Sequence, residues 1–190
     1  MGGSAWIWLK AALGIGTVPT QLSAAERNCL AKHAAGKREL VEIGVQFGVT
    51  TAHFRSVMDP QGTVTGIDPH APGRLGLSFE RLTAQRLLAR VKRGRVDLVR
   101  KLSFDAAAEF DRPIDFLFID GDHSWKGVER DWNDWSAKIA PGGIVALHDS
   151  RSVPYRQDHD SVRFTQEVVA RDARFRSIDS ADTLTVLIRV

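Results

Sequence analysis

The chain carries one cysteine, Cys29, in 190 residues. That excludes an intramolecular disulfide and fits a reducing, cytoplasmic compartment. Cys29 falls inside an expected helix, where a buried small hydrophobe is the simplest reading. No apolar run is long enough to span a membrane. The apolar N-terminus, MGGSAWIWLKAALGIG, has only Lys10 as an early cation and does not read as a signal peptide. There is no internal repeat and no low-complexity tract. Neither sign of charge dominates, since 26 Lys and Arg face 23 Asp and Glu. The local excess between Arg74 and Lys101 sets nine cations against Glu80 and Asp97. It lacks the interleaved aromatics of a single-strand binding groove and reads as the solvated face of a helix, so no nucleic-acid partner is expected.

What is present is a repeating alternation of strand and helix. Thr20 or Ser23 can cap a helix over Ala24–Ala35, with Glu26 three residues after Ser23 as a capping box. Strands are expected at Glu39–Ile43, Thr63–Ile67, Val96–Val99, Ile114–Ile119 and Ile144–Leu147, with Phe175–Ile178 and Leu184–Val190 closing the chain. Helices are expected over Val49–Met58, Leu77–Lys92, from Ser103 or Asp105 through Phe110, and over Val162–Arg171, and a tryptophan-rich one runs to about Ile139. Pro141, Gly142 and Gly143 read as a turn. This pattern predicts an α/β fold with a doubly wound, seven-stranded, mostly parallel sheet whose last strand is antiparallel. Residues 23–190 form the domain and residues 1–22 an N-terminal extension, with Gly14–Pro19 as linker. Trp6, Ile7, Trp8 and Leu9 are expected to pack on the domain or on a partner subunit, which makes a homodimer an expectation.

The stretch ELVEIGVQFGVTTAHF, Glu39 to Phe54, is a strand, a glycine turn and a helix start, the place where open α/β sheets bind cofactors. Four strand ends carry polar groups: Glu42; Asp68; Asp120 with Asp122 and His123; and His148 with Asp149. In a parallel sheet these ends share one edge, and a sheet needs no such cluster for stability. A dinucleotide fingerprint requires G-x-G-x-x-G so that the backbone can approach a pyrophosphate. Here Gln46 stands between Gly44 and Gly48, and Glu42 would repel that group. An acid at this turn suits a ligand with a cationic end, such as S-adenosylmethionine, and Asp68 could accept hydrogen bonds from its ribose hydroxyls.

E-x-G-x-x-x-G after the first strand, an acid after the second, FLFIDGDHSWKGVERDW and APGGIVALHDS together resemble the class I S-adenosylmethionine-dependent methyltransferases. The resemblance covers Ser23 to Val190 and is to the small-molecule branch, with its catechol-type and antibiotic sugar O-methyltransferases. It implies that Glu42, Gly44 and Gly48 line the methionine and ribose part of the cofactor, that Asp68 binds the ribose, and that Leu102, Ser103 and Phe104 contact adenine. Asp120 would meet both cofactor and, in metal-dependent members, a divalent cation (Mg, Mn, Zn or Fe). His148 and Asp149 fall where those members place an Asp-Asp or Asp-Asn metal pair. His148 departs from that pattern, and imidazole suits zinc or iron better than magnesium. His123 falls where catechol-type members carry a lysine beside the acceptor hydroxyl. It is the expected proton acceptor, with Asp122 its rival and Asp120 beside them.

The methyl acceptor is then expected to be a small molecule. Trp125, Trp132 and Trp135 share a helix face and read as core, with Trp125 the one best placed to wall a substrate. The loop after the fifth strand, with Tyr155, His159, Arg151, Arg156, Asp158 and Asp160, would admit a polar acceptor. Other classes are weaker fits. A nucleic-acid amine methyltransferase would carry an Asn/Asp-Pro-Pro-aromatic motif at Asp120. A nicotinamide-dependent oxidoreductase is disfavoured by Gln46 and Glu42. A metal-dependent hydrolase would leave Asp68 without work. A non-catalytic cofactor-binding protein keeps every feature except the proton acceptor.

Overall fold

A computed structural model describes residues 3–73, 76–155 and 159–190. Arg74, Arg156 and Asp158, named above, lie outside the described residues. In chain order the elements are α1 (Gly3–Leu13), α2 (Ala24–Ala34), β1 (Glu39–Ile43), α3 (Val49–Val57), β2 (Thr63–Ile67), α4 (Phe79–Arg90), β3 (Arg95–Val99) and α5 (Ser103–Glu109). There follow β4 (Ile114–Ile119), α6 (Trp125–Trp135), β5 (Ile139–Leu147), α7 (Asp160–Glu167), β6 (Phe175–Ala181) and β7 (Leu184–Arg189). The seven strands form one sheet in the order β3-β2-β1-β4-β5-β7-β6. β7 runs antiparallel to both β5 and β6, and the other pairings are parallel. The expected doubly wound sheet with a reversed last strand is therefore the observed one.

Period-2 alternation sends the strand side chains to two cores. On one face Val41, Ile43, Leu117, Ile119, Val145 and Leu147 pack with Trp132, Trp135 and Phe164. On the other, Leu40, Val64, Phe116, Phe118, Ala146 and Val186 meet Leu30, Phe54 and Met58. Both faces of β4 are buried, which is why its sequence is almost wholly apolar.

The expected capping box is present: the Ser23 hydroxyl accepts from the Glu26 amide, and the Glu26 carboxylate accepts from the Ser23 amide. Three stretches differ from expectation. Ile139 to Gly143 extend β5, because Ile114 pairs with Ile139 before a register shift brings Phe116 opposite Ile144; the Pro-Gly-Gly turn is a bulge in the strand. The tryptophan helix ends at Trp135 and continues as a 3₁₀ turn over Ser136–Lys138. The N-terminal residues form α1, which lies on α4 with Trp8 and Phe79 rings 5.7 Å apart. Arg86 donates to the Ala11 and Ala12 carbonyls and Arg90 to that of Ala11, so cations from the basic run close the C-terminal end of α1. Among the described residues no helix is long and apolar enough to cross a membrane.

Candidate active site

The sheet order reverses between β1 and β4, and the glycine loop lies at that switch point. Gly44 has φ +89°, and a Cβ there would stand 2.1 Å from the Asp120 carbonyl oxygen. Glycine is thus required for β1 to end this close to β4. Gly48, at φ +78°, opens α3 against Ala84. Between them the Val45 and Gln46 amides donate to Asp68 Oδ2 at 3.0 and 2.8 Å, and the His70 amide donates to Asp68 Oδ1 at 2.7 Å. His70, 1% exposed and at φ +41°, places Nε2 3.0 Å from the Gln46 carbonyl oxygen. The end of β2 therefore fixes the loop after β1.

Below this loop opens a cavity of about 620 Å³, within the size range of cofactor sites. Gly44, Asp68, Leu102, Ser103, Phe104, Asp120, Asp122 and His123 all line it. Those expected site residues, scattered over some eighty positions, are brought to one space. Glu42, Gly48, His148 and Asp149 stand outside its wall. Sequence reasoning did not single out Pro19–Leu22, Lys126, Arg130 and Asp131, which also line it. Of these, Lys126, Arg130 and Asp131 follow His123 at helical spacing, and that period was the available signal. Trp125 lies instead against Phe164, with ring centroids 5.3 Å apart.

Glu42 is 1% exposed and faces α3, where Thr51 Oγ1 donates to its Oε2. Burial holds its carboxyl well above the usual range, and Asp120 and Asp68 add to that against the Thr51 hydrogen bond. Its charged form is thus disfavoured, and its side chain lies behind the loop rather than in the cavity wall. Asp131, in the cavity wall, is pushed up to about 6, chiefly by burial.

Beside the cavity the ends of β4 and β5 carry an ion cluster. His148 Nδ1 lies 2.9 Å from Asp120 Oδ1 and 3.6 Å from Asp149 Oδ2, and its Nε2 lies 3.6 Å from Glu26 Oε2. Both ring nitrogens are buried, and neither has an aligned hydrogen bond. Burial pulls the imidazole down, but Asp120 and Glu26 outweigh it and raise His148 to about 10. Glu26 is brought down to about 2, because contacts with His148, Thr183 and Ser23 outweigh its burial. His123 Nε2 sits 3.6 Å from both Asp120 Oδ1 and Asp149 Oδ2. Burial lowers it below the ordinary imidazole value, against the pull of those carboxylates. His159 Nε2 also stands 3.6 Å from Asp149 Oδ2, and its ring is 5.1 Å from that of His123.

A divalent cation fits this donor set. Asp120, His123 and His148 each offer a ligand atom within 4.8 Å of the others, and the His148 nitrogens are buried without aligned partners. A second group, Cys29, His33 and Asp179, is half-buried between α2 and β6, where Asp179 already accepts from Lys32 and faces His33 at 2.8 Å.

A methyltransferase domain model matches residues 41–150. The chain belongs to that family. Residues matched by this methyltransferase domain run from β1 to the end of β5, and so include the glycine loop, Asp68 and the cluster at Asp120 and His148. A curated relative, uncharacterized protein y4gI of Sinorhizobium fredii, is 27% identical over 128 residues, 62% of this chain; the matched part is 14% of that protein's length. Several solved structures are similar. One from Corynebacterium glutamicum has a TM-score of 0.71 at 18% identity and covers 98% of this chain and 89% of that one. An O-methyltransferase from Bacillus cereus in complex with SAH has a TM-score of 0.66 at 16% identity, covering 98% and 90%. The O-methyltransferase TomG of Streptomyces achromogenes, involved in tomaymycin synthesis and in complex with SAM, has a TM-score of 0.64 at 18% identity, covering 100% and 91%. At these identities the likeness shows the fold.

Proposed function

We propose that this methyltransferase-domain chain uses S-adenosylmethionine to methylate a hydroxyl on a small molecule, such as a sugar, a phenolic or another natural product. The observation that carries the reading is the cavity at the switch point, in which Asp68, Leu102–Phe104 and Asp120 to His123 face one another. Similar structures solved with SAH and SAM support it. Gly44 and the loop amides would receive the methyl donor, Asp68 its ribose, and Leu102, Ser103 and Phe104 its base. Glu42 and Gly48 would act from behind, by holding the loop.

In the transfer, the acceptor oxygen attacks the methyl carbon in line with the sulfonium. The carbon–oxygen bond forms as the carbon–sulfur bond breaks, and the bonding pair stays on sulfur, leaving a neutral thioether. The hydroxyl proton passes to a protein base. Asp122 and His123, both in the cavity wall, are the candidates to take it, with Asp120 beside them. Asp120, His148 and Asp149 would hold a cation, and a divalent cation there would lower the pKa of a neighbouring hydroxyl. Positioning of the two reactants would supply much of the rate.

Calorimetry with SAM, SAH and NAD tests the reading. SAH is expected to bind and NAD to bind weakly or not at all; binding of NAD alone would overturn the proposal. With a homocysteine-release screen to find the acceptor, H123A should lose 10²–10⁴-fold in single-turnover rate, the usual worth of a group at the reacting proton. A near-wild-type rate would remove His123 from the reaction. Pairing of two copies is the matching proposal for assembly, supported by the exposed Trp6, Leu13, Ile15 and Leu77. A solution mass of one chain would discard it.

A further inference from the structure

Cys29 is the only cysteine of the chain. It lies on α2 one helical turn before His33, and residues four apart on a helix share a face. That face meets β6, an edge strand of the sheet. There the register slips: Ser177 pairs with Leu187, Asp179 pairs with Val186, and Ile178 is left over as a bulge. A bulge re-aims the side chains beside it. Asp179 reaches α2, where its Oδ2 stands 2.8 Å from His33 Nε2. The Cys29 thiol faces the same carboxylate. A thiol sulfur, an imidazole nitrogen and a carboxylate oxygen thus lie within 4.8 Å of one another. We propose that Cys29, His33 and Asp179 form a zinc-type metal site that clips α2 to β6.

The donor chemistry selects the ion. Thiolate and imidazole suit zinc, whereas magnesium takes oxygen and water. Three protein ligands leave the fourth corner of a tetrahedron to water, as open zinc sites do. Access is from solvent, since the His33 and Asp179 side chains are 13% and 27% exposed. Lys32 and His33 hold the Asp179 carboxyl well below its usual range, so the oxygen donor is charged. Burial and that carboxylate hold the Cys29 thiol up. Binding therefore releases the thiol proton to solvent as the sulfur–metal bond forms. Asp179 Oδ2 also accepts from Lys32 at 2.7 Å, but the Lys32 side chain is 69% exposed and can turn to solvent. The metal displaces a surface ammonium whose pairing is worth little.

The clip is a second tie between two segments that already touch. At its start α2 is held by the turn after β6: Ser23 Oγ donates to Asp182 Oδ2 at 2.6 Å, and the Thr183 amide and hydroxyl donate to Glu26 Oε1. A metal at Cys29 and His33 extends that hold along the helix. Residues 19–22, which lead into α2, line the cavity, whereas Cys29, His33 and Asp179 do not. The site is structural, separate from the cavity and from the group at Asp120, and does not rest on the methyl-transfer reading.

The test uses the full chain, reduced and stripped with a chelator, with cobalt(II) as the probe. Because the chain has a single cysteine, a thiolate-to-cobalt charge-transfer band reads this site and no other. One equivalent of cobalt should raise the band, zinc should bleach it in competition, and a roughly 100-fold excess of magnesium should not. C29S should abolish the band. H33A and D179N should each weaken cobalt by at least about 10-fold, since even an outer-shell partner is worth that. K32A, which removes the competing ammonium, should tighten it by about 2–5-fold. H123A, which takes a donor from the group at Asp120, should leave the band unchanged. Circular dichroism checks that each variant folds; D179N, at a partly exposed position on the edge strand, keeps the test decisive if C29S does not fold. No band, a band that H33A and D179N leave at full affinity, or a band lost in H123A would each overturn the proposal. SAH binding in a protein without the band would strike the clip alone; the band in a protein that binds no SAH would strike the methyl-transfer reading alone.

Discussion

At the scale of single residues, burial pushes a carboxyl up unless partners outweigh it, as they do at Glu26 and do not at Asp131. Asp131 has its folded value pushed up to about 6 from an ordinary 3.8. A carboxyl raised on folding favours the native state only while it is protonated. That contribution is complete below the unfolded value and is lost as pH rises through about 6. At roughly 1.4 kcal/mol per unit, the wild type should lose about 2–3 kcal/mol relative to D131N between pH 4 and pH 8. Urea unfolding of both proteins at several pH values checks this; a stability difference that does not vary with pH would refute it. The same scale shows what the sequence could reveal. The glycine turn was legible, since only glycine permits the approach of Gly44 to Asp120, but Asp68 was read as a ribose acceptor and its hold on the Val45 and Gln46 amides was not foreseen. The burial of Glu42 was not legible, because strand parity turns it toward Thr51 on α3, away from the cavity. Glu26 was legible as a cap and not as the neighbour of His148, a contact between residues more than a hundred positions apart.

At the scale of elements, the legible parts were those whose pattern is local. The capping box of α2, the short apolar run of β1, the alternation of β-branched and small residues in β2 and the apolar run of β4 each follow from a pattern or a cap within a few residues. What failed depended on partners. Ile139 becomes strand because Ile114 lies opposite it, and nothing in Pro141-Gly142-Gly143 announces that pairing. The helix α1 carries no acid in its first turn and buries no residue fully, so its own sequence gives little reason to predict it. Its ordering comes from α4: Trp8 packs on Phe79, the Ser4 hydroxyl donates to Glu80, and Arg86 and Arg90 take its last carbonyls. The basic run that suggested a solvated face is in part a set of helix caps. Arg93 likewise donates to the Met58 carbonyl, and Arg55 reaches those of Leu88, Arg93 and Gly94.

At the scale of the whole molecule, the cavity is walled by segments from five separate parts of the chain. Residues 19–22 precede α2, the glycine loop follows β1, Asp68 and Pro69 follow β2, residues 102–104 open α5, and residues 120–131 run from β4 into α6. These segments belong to both faces of one sheet, so a ligand that bridges them must be released when either face opens. If SAH fills the cavity as proposed, its binding should stabilise the domain as one cooperative unit. At a concentration of 100 times the dissociation constant, linkage gives about 2.7 kcal/mol. For a domain of this size each kcal/mol moves the melting temperature by roughly 2–4 °C, so a rise of about 5–10 °C is expected. Differential scanning calorimetry with SAH, with NAD and without ligand measures it. A single transition displaced by SAH and not by NAD is the expected result. A split transition, of which SAH moves only one part, would show that the walls open independently and that the cavity does not hold the ligand across the switch point.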